Sequence, residues 1–98
     1  MSRWIILASP VDGYPAETYR VAIIEELEGS DVEAREILSS RINTYDGRIS
    51  KVKRREVYKI SEHSYILRIH GRMSSDAYLF QMAELIADAS APEMPDGV

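Results

Sequence analysis

The sequence predicts an α+β domain, an antiparallel four-stranded sheet with two helices on one face, in the order ββαββα. Three observations carry that prediction: an alternating hairpin between Val52 and Met73, a helix-opening capping box at Ser30 and Glu33, and an apolar helical pattern over 76–89. Two helices on one side of an antiparallel sheet bury its apolar face in a single layer.

The first element is a strand over Arg3 to Ser9 (RWIILAS), a short apolar run without polar alternation, which suits burial on both faces. Pro10 to Pro15 (PVDGYP) stops it, because two prolines cannot sit inside a ladder and Asp12-Gly13 supplies turn chemistry. Thr18 to Leu27 fits a helix through Tyr19, Ile23 and Leu27, or a strand with Tyr19, Val21 and Ile23 on one face. Its β-branched content favours the strand, and a helix would gather Glu25, Glu26 and Glu28 at its negative end.

Ser30 and Glu33 have the S-x-x-E spacing in which each side chain satisfies the other's backbone N–H, so a helix starts there and runs to about Tyr45, where Asp46-Gly47 ends it. Ala34, Ile37, Leu38, Ile42 and Tyr45 form its inward face. In the hairpin, a two-residue turn at Glu62-His63 sets Ser61 opposite Ser64, and thereby Ile60 opposite Tyr65, Tyr58 opposite Leu67 and Val52 opposite Met73 on an apolar side. The same register sets Lys59 opposite Ile66, Val57 opposite Arg68, Arg55 opposite His70 and Lys53 opposite Arg72 on a basic side. Ser74 or Ser75 then caps a second helix over Asp76 to Ala89, whose apolar arc of roughly 220° is about twice what docking on one sheet requires. Tyr78, Phe80 and Leu85 on the flanks of that arc are therefore candidates for self-association. Residues 1–90 form one domain, and 91–98, with two prolines and no periodicity, read as a frayed tail.

Composition narrows the function classes. Hydrophobic residues at 45% and charged residues at 29% place the 98-residue chain among globular domains with one core. The chain has no cysteine, which excludes disulfides, thiolate catalysis and thiolate metal sites. The apolar run Trp4–Ala8 is far shorter than the roughly 20 residues of a membrane helix, and the sequence reads as cytoplasmic.

The net charge of −4 conceals a segregation. Residues 41–72 carry nine Lys/Arg against three acids, net +6, while the remainder carries three Arg against thirteen acids, net −10. A local field of one sign governs encounters with charged partners whatever the total.

Phosphate loops, zinc-binding histidine pairs, nucleophile elbows and dinucleotide fingerprints are absent from the sequence, so no cofactor and no catalytic residue is assigned. His63 and Glu62 read as a solvated turn, and Glu25-Glu26 and Glu33-Glu36 as solvated charge. Arg41 and Glu56 both fall on apolar faces and would need one another if buried, although Arg41 at a helix end can also snorkel. The basic hairpin face, Lys51, Lys53, Arg55, Lys59, Arg68, His70 and Arg72, is the best candidate for binding, since a strand presents alternate side chains as a flat row, although such charges also serve solubility and keep strand edges from pairing. The leading expectation is a small non-enzymatic interaction or regulatory module, homodimeric or a subunit of a complex, with this face toward an acidic protein. A nucleic-acid-binding accessory protein is the second expectation. A small-molecule binder or enzyme with a pocket between sheet and helices, using His70, Arg41 and tyrosines, is the third.

Overall fold

The computed structural model describes residues 1–11 and 21–89, and begins with a strand, β1 (Ser2–Pro10), that is buried on one face only. Trp4, Ile6 and Ala8 point into the core, whereas Ile5 and Leu7 stand half-buried on the opposite face. The apolar run was expected to be covered on both sides, and among the described residues one side has no layer over it. β2 (Ala22–Gly29) pairs antiparallel with β1, confirming strand over helix for the described part of Thr18–Leu27; Asp12-Gly13 and Thr18–Arg20 lie outside the described residues. A register shift between Ile6 and Leu7 lets Ile24, Glu25 and Leu27 face inward, with Ile23, Glu26 and Glu28 exposed.

The helix α1 (Asp31–Thr44) starts where the capping box puts it. Ser30 Oγ accepts from the Glu33 backbone N–H at 3.1 Å, and Glu33 Oε1 accepts from the Ser30 N–H at 2.9 Å. Ala34, Leu38 and Ile42 are buried and Ile37 and Tyr45 are packed against the core, as the sequence pattern requires. At its end Gly47 adopts φ +57°, and a Cβ there would lie 2.8 Å from ring carbons of Tyr78, so glycine is needed for both conformation and space.

The hairpin of β3 (Arg54–Ser61) and β4 (Ser64–His70) turns at Glu62-His63, with Ser61 opposite Ser64 as predicted. Ile60 is then extra. Lys59 pairs with Tyr65, and the whole of β3 before it is displaced by one residue. Tyr58 therefore faces Ile66 instead of Leu67, and Arg54 instead of Arg55 faces His70. A one-residue bulge sends every side chain of the strand to the other face, which no alternation within β3 alone could announce.

The largest correction concerns 76–89. No second helix is present among the described residues; β5 (Ser75–Glu84) is a ten-residue strand between β1 and β4. The fold of the described residues is thus ββαβββ, with one five-stranded antiparallel sheet in the order β2-β1-β5-β4-β3 and one helix packed across β5, β2 and β1. Tyr78, Phe80 and Met82 are buried beneath α1, and Ala77, Leu79, Gln81 and Ala83 share the uncovered face. Residues 91–98, which the sequence reads as a frayed tail, lie outside the described residues.

Trp4, Phe80, Tyr78 and Tyr45 anchor the core. The rings of Phe80 and Tyr78 meet Tyr45 edge-on at centroid distances of 5.1 and 5.0 Å, and Trp4 Nε1 donates to the Gly29 carbonyl at 3.1 Å. Burial of Tyr78, helped by the nearby Asp76 carboxylate, pushes its phenol up to about 12 from the usual 10.0. A raised phenol value favours the neutral form in the fold, so this stability is intact below pH 10 and is lost as pH rises through about 12. Between about pH 9 and about pH 11.5 the native chain is expected to lose about 2 kcal/mol more stability than Tyr78→Phe. Urea titrations of both proteins at the two pH values check this, and equal losses refute it.

Candidate interaction surface

Alternation in the central strands produces a face that α1 does not cover. Across its middle lie Ile5 and Leu7 of β1, Leu79 of β5 and Ile66 of β4, all half-buried, with Tyr58 of β3 and Ile23 of β2 exposed on either side. Ser9, Ser64 and Gln81 interrupt the apolar surface without dividing it.

One corner of this face, where β3 and β4 open away from their turn, is organised around Glu56. His70 Nε2 lies 2.6 Å from Glu56 Oε1, Tyr58 donates its hydroxyl proton to Oε2 at 2.9 Å, and Arg68 and Arg54 approach within 3.4 and 3.5 Å. The Arg68 guanidinium also sits 5.5 Å from the centroid of the Tyr58 ring. Hydrogen bonds from His70 and then Tyr58 hold the Glu56 carboxyl below the usual range, assisted by the two guanidinium charges. A histidine–carboxylate pair can orient an imidazole for proton transfer. Here the carboxylate is shared among four partners on the sheet surface, an arrangement that fixes their charges relative to one another.

The basic row predicted from the sequence is divided by the bulge. Arg68 and His70 remain on the open face, where Arg54 joins them. Arg55 and Lys59 go to the helix side. Arg55 Nη1 donates to the Ile42 and Tyr45 carbonyls at 3.0 and 2.6 Å, closing the C-terminal end of α1, and Nη2 lies 3.4 Å from Asp46. Lys59 pairs with Glu62 at 3.0 Å beside Arg35, and hydrogen bonding to that carboxylate raises the lysine's value and lowers the carboxyl's. Lys51, Lys53 and Arg72 are exposed in the connections at the open end of the hairpin; with Arg48 they form no ion pair among the described residues. Lys53 is tied there by its N–H, which donates to the His70 carbonyl at 2.7 Å.

Other candidates are absorbed by structure. Arg41 donates through Nε to Glu25 at 2.6 Å across the helix–β2 seam, so it is not paired with Glu56. His63 lies in the turn, as expected, with its side chain 45% exposed, and it also reaches the start of α1, with Nε2 2.7 Å from Asp31 and its ring 5.9 Å from that of Trp4. Tyr78 and Phe80, expected on an interface, are 7% and 0% exposed; Leu85 alone of that set is exposed, just beyond β5. Among the described residues no group of three His, Asp or Glu side chains is placed to hold a metal ion, and no helix is long and apolar enough to cross a membrane.

The corner diagonally opposite is acidic and concave. A groove of about 570 Å³ opens there between the ends of β1, β2 and β5, lined by Ile5, Glu26, Glu28, Ala83, Leu85 and Ile86 among others. Arg3 also lines it and faces Asp88 at 3.8 Å. The groove holds neither His70 nor Arg41 and is not between the sheet and the helix, where a pocket was expected. Sequence reasoning missed this corner because Glu25-Glu26 read as solvated charge and Glu28 only as an acid that disfavours a helix; the alternation of Glu26 and Glu28 within β2 was the available signal. No protein-family model, curated protein or solved structure matches the chain.

Proposed function

We propose that the chain is a small non-enzymatic interaction module that uses the basic corner of its open sheet face to bind an acidic protein surface. The observation that carries this is the gathering of Lys51, Lys53 and Arg72, exposed and without a carboxylate partner among the described residues, where the Lys53 N–H meets the His70 carbonyl next to Arg54. Arg35, Arg41 and Arg55 each face an acid, so the excess positive charge is local to this corner. Such a surface steers an anionic partner into register at moderate affinity. Tyr58 is the aromatic group beside it, and its hydroxyl and ring are occupied by Glu56 and Arg68, which leaves little platform for stacked bases.

Poly-L-glutamate and a duplex DNA are suitable probes. Poly-L-glutamate binding is expected to weaken at least tenfold between about 50 and about 200 mM salt, through counterion release from several contacts. The triple reversal Lys51→Glu, Lys53→Glu, Arg72→Glu should abolish it while leaving the unfolding midpoint nearly unchanged. Poly-L-glutamate binding that is absent, or unaltered by the reversal, overturns the reading. DNA binding tighter than about 10⁻⁶ M at physiological salt, beyond the usual non-specific range, transfers the corner to nucleic acid.

A further inference from the structure

We infer that the acidic surface fitting this corner is a second copy of the same chain, paired open face to open face. The inference rests on the reading of the basic corner as a binding surface and adds the identity of the partner. A symmetric dimer requires a self-complementary patch, in which each half meets the other half of its twin. The open face has that form: Glu26 and Glu28 at the β2 corner, an apolar middle of Ile5, Leu7, Leu79 and Ile66, and Arg54 and Arg68 at the β3–β4 corner.

The order of the strands places these charges at opposite ends of one diagonal. Glu26 and Glu28 lie opposite Ile5 and Arg3, toward the β1 end that pairs with Ala83 and Glu84. Arg68 and His70 lie opposite Ala77 and Ser75, at the other end of the same central strand. A two-fold axis lying in the face along the other diagonal lays each acidic corner on its twin's basic corner and stacks the apolar middles. The two sheets then cross steeply, one of the two ordinary ways sheets pack face to face. The acid-lined groove gives the guanidinium groups a concave seat, while Leu85 and Ile86 at its rim, 44% and 75% exposed, gain apolar cover.

The area suffices. Five strands about 4.8 Å apart and about 24 Å long present roughly 580 Å² per copy, so a pair buries about 1,150 Å², above the roughly 1,000 Å² expected of a specific interface. The other diagonal axis, through the two charged corners, would instead set Glu26 and Glu28 against their own copies and Arg54 and Arg68 against theirs.

Charge exchange tests the pairing. By light scattering at high micromolar concentration, the native chain should show twice the mass of one chain, and Glu26→Arg/Glu28→Arg and Arg54→Glu/Arg68→Glu should each show the mass of one. An equimolar mixture of the two variants should recover the doubled mass, which also proves both are folded. Leu79→Glu should be monomeric and unrescued by either. A native monomer, or reversal variants that remain dimeric, overturns the pairing. If the native chain is monomeric yet binds poly-L-glutamate through Lys51, Lys53 and Arg72, the pairing falls and the reading of the basic corner stands; if it binds neither, both fall.

Discussion

Replacing Phe80 with alanine is expected to remove about 3–5 kcal/mol of stability, the usual cost of deleting a buried aromatic ring and leaving a cavity. Phe80 is wholly buried in the middle of the central strand, under α1, with its ring edge-on to Tyr45. Small domains have only about 5–15 kcal/mol in total, so the variant should be largely destabilised and show its loss as a lower urea midpoint with little change in slope. Leu79→Ala, one residue away on the open face, should cost much less to the monomer because its side chain is only half-buried there. A helix over 76–89 would instead put Tyr78 and Phe80 on its flanks and make Phe80→Ala mild. Equal losses for the two variants would count against β5 as the central strand.

The contrast shows why the sequence was legible in some elements and misleading in others. The capping box at Ser30 and Glu33 and the inward stripe of α1 are local, and the structure reproduces both. β4 alternates as read, with Leu67 and Ile69 buried and Arg68 and His70 on the open face. Ala77, Leu79, Gln81, Met82, Ala83 and Glu84 are good helix formers, and Ser75-Asp76 imitates a cap. Leu79 on the uncovered face also hides the strand's alternation. What decides for β5 is the gap between β1 and β4, a long-range pairing that local propensity does not encode. The apolar run of β1 did carry a signal beyond its own strand: Ile5 and Leu7 mark the open face on which the proposed pairing depends. The candidate site was half legible for a similarly specific reason. Arg68, His70, Lys51, Lys53 and Arg72 lie at the basic corner, but the extra residue at Ile60 exchanged Arg55 for Arg54.

That exchange makes Arg55 a structural residue, and Arg55→Ala is expected to destabilise the fold by about 2–3 kcal/mol, within the range for hydrogen bonds from a charged donor. Its guanidinium satisfies the Ile42 and Tyr45 carbonyls, which the end of α1 leaves without helical partners, from a side chain 21% exposed. Arg68→Ala removes a side chain 48% exposed whose partner Glu56 retains His70 and Tyr58, and should cost at most about 1 kcal/mol. Arg55→Lys should recover part of the loss, since one ammonium can reach the carbonyl cluster but cannot reproduce the planar fork that also meets Asp46. Urea unfolding of the three variants separates the roles, with binding of poly-L-glutamate measured on the folded fraction. The expected pattern is a large stability loss with retained binding for Arg55→Ala and the reverse for Arg68→Ala. An Arg55→Ala midpoint within experimental error of the native chain would remove this arginine from the helix terminus and return it to the basic row.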